Sequence, residues 1–493
     1  MSFKRQVAYN TIIQLTGKAV AILLSVIITI ALTRHFGPTG YGYYNTVITF
    51  VGFFIVLADL GVYPILVREM SQRPKEKEQI YATVFFYRVI SSLVTMGFAF
   101  LVGFLMPYPQ LVKLAIGIYA LSAFLSLLIS LIMAVFQINY RMDLPTFVEI
   151  SSRILYLFTL LWGLKQGYNL YGIFWLLVVA TVVNLVLDLA LSQRYMKTKI
   201  VFDFELLKGF LKESLPMGLA TILGLIHFKV DTILLSVMKP AADVGIYGAA
   251  YRIFENLIII PGIFVGLLFP RLSELYLQDS EGLRRVFQKA IDLLLMAVLP
   301  TIVIFYFLSP YLIETMAGPQ FAPAHLALRI LLASLFATFL VSLFSYLCIA
   351  SKKQKILIYL WAAFSLLNIL LNLLFIPLFS YKGAALTTVV TEFGVLFTLY
   401  FIVNNLIRIR PSFGFLGRLF LPTAFLILFY LLIFRIPTLS FATFQKFSLL
   451  VQFLYTTSLL LLGFLLYGLL LIIFQVVDRN EILEIIRRGR QSR

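Results

Sequence analysis

Long apolar runs, separated by short polar segments, are the main feature of this sequence of 493 residues. A helix that crosses a bilayer needs roughly 17–25 mostly apolar residues. Fourteen runs meet this requirement, near residues 11–33, 41–65, 80–106, 111–137, 145–164, 170–192, 213–237, 244–269, 290–309, 324–350, 356–378, 383–407, 418–436 and 448–477. The pattern predicts an all-α, polytopic membrane protein with about fourteen transmembrane helices.

The composition supports the same class. Hydrophobic residues make up 61% of the chain and charged residues 13%, and the mean hydropathy is +0.97. A soluble domain carries about a quarter charged residues. The chain has more apolar length than one soluble core can bury, so membrane lipids are its predicted surroundings.

The basic residues predict the orientation. The net charge is +18, from 40 basic and 22 acidic residues. With the N-terminus inside, the inner segments hold 27 basic residues, the outer loops 7 and the helices the other 6. Lys and Arg are retained on the cytoplasmic side of membrane proteins. We therefore expect a multi-pass protein of the cytoplasmic membrane with both termini cytoplasmic. The charge follows topology and does not indicate a nucleic-acid partner.

An internal repeat predicts two lobes. The segments LTRHFGPTGYGYY (32–44) and LSVMKPAADVGIY (235–247) align without gaps, so that Gly42 matches Gly245. Both segments join an outward-running helix to an inward-running one, and they lie six helices apart. An even spacing of helices is typical of parallel repeats.

The repeat suggests where the domains begin and end. The inner loops are short except at 193–212 and 271–289, and the first of these is basic with interleaved Phe and Leu, as expected of a segment on the membrane surface. The predicted parts are an N-terminal six-helix lobe (1–192), an interfacial linker (193–212), a C-terminal six-helix lobe (213–407), two additional transmembrane helices (408–477) and a basic cytoplasmic tail (478–493).

Charged residues within the predicted helices are candidates for a functional site, because such residues are costly in lipid and usually face a cavity or a partner. The basic ones are Lys18, Arg88, Arg153, Lys229, Arg252 and Arg329. The acidic ones that oppose them are Glu149, Asp231, Glu255 and Glu392. They either contact an anionic substrate and couple it to an ion, or form structural pairs. Asp59, Asp188 and Asp292 fall at inner helix ends, where simple hydration is an adequate explanation.

The first helix carries a polar stripe. Gln14 and Lys18 share one helix face with three hydroxyl side chains, Thr11, Ser25 and Thr29. The stripe lines a cavity in which Lys18 and Gln14 contact an anion, or it packs against other helices while Lys18 extends to the inner surface.

Two possible ion pairs follow from helix spacing. Asp231 lies about 9 Å and Arg252 about 12 Å from the outer loop that joins their helices, which makes them level enough to pair. Glu149 and Arg153 are four residues apart on one helix. A structural role and a role in substrate or proton coupling are both open for these residues.

The sequence contains few of the residues that enzymes need. There is no phosphate-binding GxxxxGK[ST] loop, no HExxH and no GxSxG motif. The single Cys348 and three His residues are too scattered for a zinc site. We therefore expect no catalytic residues, no metal and no cofactor.

Two stretches resemble a known family. NTIIQLTGKAVAILLSVIITIALTRHFGPTGYGYYNTVITF with ADLG at 58–61, and FKVDTILLSVMKPAADVGIYGAAYRIFE (228–255), are similar to polysaccharide-biosynthesis flippases of the O-antigen type. Phe36 stands where the family pattern has an apolar Leu. The resemblance implies two six-helix lobes with two extra helices, and export of a polyprenyl-diphosphate-linked oligosaccharide by alternating access. It also implies glycosyltransferases and a glycan polymerase as possible partners.

Three alternatives are open at this stage. A lipid II-type flippase and a multidrug extruder belong to the same superfamily, and the extruder would need an acidic cavity. A scaffold for glycan assembly that transports nothing would need no charge within the membrane.

Overall fold

The computed structural model describes residues 3–196, 202–437 and 440–476. Within these ranges the chain is helical and contains no strand. The helices are α1 (Phe3–Asp59), α2 (Val62–Gln72), α3 (Lys77–Leu105), α4 (Gln110–Ile138), α5 (Asp143–Lys165), α6 (Leu170–Ser192), α7 (Phe204–Met238), α8 (Ala241–Gln278), α9 (Ser280–Ala317), α10 (Ala324–Ala350), α11 (Gln354–Phe379), α12 (Tyr381–Ile402), α13 (Phe415–Ile433), α14 (Phe441–Phe444) and α15 (Leu449–Ile473).

The predicted number of membrane crossings is confirmed. Thirteen helical segments of the described residues are long and apolar enough to span a membrane. The first of them, Tyr9–Gln72, has 64 residues and is interrupted at Gly37 (φ 62°, ψ −174°), directly before Pro38. Proline lacks the amide hydrogen that a continuous helix requires, so two predicted spans meet here. The protein is an all-α, polytopic membrane protein with about fourteen crossings.

The second predicted span, 41–65, ends earlier than its apolar run. Leu60 (φ 44°) and Gly61 (φ 71°) both adopt the left-handed conformation, which ends α1 at Asp59 and lets α2 start at Val62. Two successive left-handed residues cannot continue a right-handed helix. Apolarity alone does not reveal such a break.

The segment predicted as an inner loop, 271–289, is helical, because α8 and α9 extend through it. Only Asp279 separates the two helices, and its side chain accepts a hydrogen bond of 2.8 Å from the amide of Gly282. This is the N-cap interaction that starts a helix. Asp203 starts α7 in the same way, within the predicted linker. Residues 197–201 of that linker and the predicted tail 478–493 lie outside the described residues.

The chain divides into two compact units, Met1–Gly245 and Ile246–Arg493. In the first unit, α4 packs against α1, α3 and α6. In the second, α10 packs against α9 and α12, and most of its apolar side chains are buried. The domain boundaries predicted from the repeat stay a prediction.

Candidate functional site

Lys18 on α1 is exposed, and among the described residues it forms no ion pair. Its neighbour Gly17 packs tightly on α5, since a Cβ placed there would lie 2.2 Å from Cγ2 of Thr146 and 3.8 Å from Cδ1 of Ile150. Lys18 therefore lies beside α5, at the level of residues 146–150. The charge of an unpaired lysine at this position is available to an anionic group.

The other residues of the α1 stripe differ in exposure and in their hydrogen bonds. Gln14 is half-buried and Thr11 is exposed. The hydroxyl of the buried Thr29 donates to the carbonyl of Ser25 at 2.8 Å. A hydroxyl that bonds to its own helix is satisfied without a ligand.

Arg88 on α3 is fully buried and is held by the end of α1. Its Nη2 lies 2.6 Å from Oδ1 of Asp59, and its Nη1 donates to the carbonyl of Ala58 at 2.7 Å. A cation at a helix C-terminus offsets the partial negative charge of the last carbonyls. The geometry favours a structural role for Arg88 and gives Asp59, which sequence analysis set aside as hydrated, a partner.

Glu149 and Arg153 form an ion pair along α5. Arg153 Nη2 lies 2.9 Å from Glu149 Oε1, and the two side chains are 42% and 43% exposed. The pair lies at the level where α5 packs on α1 next to Lys18. Two basic residues and one acid are therefore near one another at this part of the first unit.

The polar residues near the end of α7 are less exposed than the Glu149–Arg153 pair. Asp231 is 2% exposed and accepts hydrogen bonds from the amide and hydroxyl of Thr232, at 2.6 and 3.2 Å. His227, one turn earlier, is also buried, and Lys229 is half-buried. The pairing of Asp231 with Arg252 stays a prediction.

The predicted basic residues of the second unit have local partners. Arg252 lies 3.3 Å from Glu255 on α8. Arg329 on α10 donates to the hydroxyl of Ser309 at 2.9 Å, and its guanidinium lies 4.6 Å from the centre of the Tyr306 ring. An arginine over an aromatic face gains a cation–π interaction. Of the six predicted basic contacts, Lys18 is thus the one without an interaction among the described residues.

Glu392 on α12 belongs to a buried polar network in the second unit. Its Oε2 accepts a hydrogen bond of 3.1 Å from Thr338 on α10. Asn368 on α11 donates to Thr391 at 3.3 Å, and Asn372 donates to the side-chain oxygen of Asn368 at 2.7 Å. Glu392, Asn372 and Thr391 are 0% exposed. A carboxylate surrounded by amides and hydroxyls can hold a cation or a proton.

Sequence reasoning missed the neutral members of this network. Asn368 and Asn372 are four residues apart, and so are Thr387 and Thr391, which is the spacing of one helix face. A search for polar stripes, which found the one on α1, would have found these as well. It also explained Asp188 on α6 by hydration, whereas this side chain is 1% exposed. Among the described residues, no group of three or more His, Cys, Asp or Glu side chains is placed to bind a metal ion.

The two repeat segments meet at their matched glycines. A Cβ on Gly42 would lie 1.8 Å from the carbonyl oxygen of Ala241, and one on Gly245 would lie 2.0 Å from that of Pro38. The approach is reciprocal, since each added Cβ would also lie about 3 Å from the other glycine's amide nitrogen (3.1 and 3.0 Å). Only glycine permits backbones to come so close.

Several known structures share this fold. The lipid II flippase MurJ in an inward closed conformation matches with a TM-score of 0.72 and 17% identity, over 92% of this chain and 98% of that one. A multidrug resistance MATE family transporter of the MOP superfamily matches at 0.67 and 14%, over 78% and 94%. A MOP superfamily transporter from Pyrococcus furiosus matches at 0.55 and 15%, over 82% and 96%. The fold is that of the MOP-superfamily transporters.

The sequence identifies the family within this class. A profile of the family described as polysaccharide biosynthesis protein matches residues 7–276, more than half of the chain. The chain belongs to this family, which confirms the resemblance seen in its sequence. An uncharacterized membrane protein of Methanocaldococcus jannaschii, MJ1068, is 22% identical over 445 residues, 83% of this chain and 86% of its own.

Proposed function

We propose that this transporter moves a polyprenyl-diphosphate-linked oligosaccharide across the cytoplasmic membrane by alternating access, with both termini in the cytoplasm. The observation that carries the proposal is the unpaired, exposed Lys18 beside α5, at the level of the Glu149–Arg153 pair. A cation next to lipid is costly unless an anion or water accompanies it. A diphosphate provides two phosphate groups that accept charge-assisted hydrogen bonds.

The division of roles follows from the partners of each residue. Lys18, with Gln14 and Arg153 beside it, contacts the diphosphate. Arg88 holds the end of α1, and Arg252 and Arg329 keep their positions through Glu255 and Ser309. The prenyl tail remains in lipid, so the protein has to accommodate only the polar head group.

The buried network around Glu392 is the proposed place of ion coupling. Its carboxylate is fully buried, and Thr338 is its hydrogen-bond donor. A fully buried carboxylate among hydroxyl and amide side chains can bind a cation or a proton. Release of that ion provides a change in charge that can accompany the conformational change.

Export in cells tests the proposal. Lys18→Gln removes a charge-assisted contact of about 1.5–3 kcal/mol, so transport should slow by about tenfold to a hundredfold. The lipid-linked repeat unit should then accumulate on the inner leaflet while the amount of transporter in the membrane stays normal. Lys18→Arg should retain most of the activity.

The matched control is Lys165→Gln, because Lys165 is also exposed but lies at the other end of α5, about 24 Å from Glu149. This variant should export normally. Normal export per molecule in Lys18→Gln would remove Lys18 from the site. Loss of drug resistance in place of glycan export would favour a multidrug extruder.

A further inference from the structure

Asp188, near the end of α6, is a buried carboxylate to which the proposed transport path assigns no role. It is 1% exposed, and its Oδ1 has no hydrogen-bond partner. In the described part of the chain, no basic side chain pairs with it. An ionised carboxylate buried without a partner is strongly unfavourable, so something positive must accompany it.

Two further buried oxygens, one on α6 and one on the adjacent α5, have no hydrogen-bond partner in the structure. Asn184 is one turn before Asp188, and its side-chain oxygen Oδ1 is also buried without a hydrogen-bond partner. Ser152 on the adjacent α5 is 5% exposed, and its hydroxyl oxygen has no partner either. All three atoms can accept hydrogen bonds or coordinate a cation.

The packing of α5 on α6 brings these residues to one level. A Cβ on Gly163 would lie 2.8 Å from Cδ1 of Leu176, which fixes the register of the two antiparallel helices. From that contact, Ser152 lies about 17 Å along α5 and Asp188 about 18 Å along α6. Their side chains therefore belong to the same layer of the first unit.

The charges of α5 do not balance the Asp188 carboxylate. From the contact between Gly163 and Leu176, Glu149 lies about 21 Å along α5 and Asp188 about 18 Å along α6, so the two carboxylates are at about the same level. Glu149 is paired with Arg153 at 2.9 Å, so the charge of Arg153 is already balanced.

The other helices do not supply the missing charge. Ser122 on α4 and Thr181 on α6 are joined by a hydrogen bond of 2.9 Å. Seven residues further along each helix, Ile129 of α4 is level with Asp188 of α6. The one charged residue of α4, Lys113, lies about 24 Å from that level. On α1, Lys18 is exposed and forms no ion pair with the described acids.

We propose that Asp188, Asn184 and Ser152 form a binding site for a monovalent metal cation, Na⁺ in cells. Their unsatisfied oxygens are ligands of the type that hard cations prefer. A single positive charge neutralises the Asp188 carboxylate, whereas a divalent ion would leave a buried excess of one positive charge. The site is separate from the Glu392 network and does not depend on which lipid the transporter carries.

Thermal unfolding of the purified protein in detergent tests the site. Trp162 on α5 and Trp175 on α6 report on this part of the chain by fluorescence. The measurement uses a Glu392→Gln background, so that an ion bound in the second unit does not contribute. Replacing choline chloride by NaCl at constant ionic strength should raise the midpoint by about 5 °C, in a saturable manner.

The variants decide between a specific site and a general salt effect. Asp188→Asn should abolish the Na⁺ dependence, and Ser152→Ala should shift it to about tenfold higher concentrations. Asp292→Asn, which removes a half-exposed carboxylate hydrogen-bonded to Gln288, should leave the dependence unchanged.

Two results would overturn the proposal. The first is an equal Na⁺ dependence in Asp188→Asn and its parent. The second is an unfolding midpoint that does not change with Na⁺ but changes with pH only when Asp188 is present. In that case the carboxyl group would hold a proton and not a metal ion. If Asp188→Asn does not fold, an unchanged Na⁺ affinity in Ser152→Ala and Asn184→Ala would reject the site.

Discussion

The buried pair between Arg88 and Asp59 predicts that its two members are not equally costly to remove. Arg88 is 0% exposed, while the Asp59 side chain is 32% exposed. Asp59→Asn leaves a fully buried guanidinium without its counter-charge, which costs about 3–5 kcal/mol. Arg88→Met leaves a carboxylate that water can reach and a carbonyl of Ala58 without its donor, a loss of about 1–3 kcal/mol.

The free energy of unfolding in mixed detergent micelles measures this difference. The double variant Asp59→Asn/Arg88→Met should be more stable than Asp59→Asn alone, since no buried cation remains. Arg271→Met is the control, because its ion pair with Glu274 is exposed and should contribute about 0–1 kcal/mol. Normal stability of both single variants, with export lost in Arg88→Met, would refute the structural role and make Arg88 a substrate contact.

Three further predictions concern the repeat contact, ion coupling and topology. Gly42→Ala should reduce transport severely because its Cβ would overlap the backbone of α8, whereas Gly52→Ala, with no heavy atom within 4 Å of an added Cβ, should be normal in the same export assay. Glu392→Gln should leave membrane abundance unchanged but remove the dependence of transport on a cation or proton gradient, measured in vesicles. Reporter fusions near residue 75 should be cytoplasmic and those near residue 108 external; adjacent reversals would contradict the predicted orientation.

The membrane crossings could be predicted because each depends on a local property, the length of an apolar run. The exceptions show the limits of that property. The left-handed pair Leu60–Gly61 ends α1 inside an apolar run. Asp279 alone separates α8 from α9, although the polar composition of 271–289 predicted a longer loop there. Backbone conformation and capping decide such boundaries, and a hydropathy pattern contains neither.

The candidate site was predictable only in part. Lys18 could be found because a charge in an apolar run is conspicuous. The partners that occupy Arg88 and Arg329 could not be found, since the carbonyl of Ala58 and the ring of Tyr306 come from other helices. Burial of Asp188 likewise depends on how α6 packs against its neighbours. Tertiary packing determines which charges remain available to a substrate.

Movement of a defined lipid by the purified protein is the most direct test of the proposed function. Vesicles containing undecaprenyl-diphosphate-linked oligosaccharide, with the transporter reconstituted, would be probed with an enzyme that modifies the sugar only from outside. The protected half of the lipid should become accessible with the natural protein and with Lys165→Gln. With Lys18→Gln, accessibility should develop about tenfold to a hundredfold more slowly. Accessibility no faster than in protein-free vesicles, under any ion gradient, would contradict the proposed function.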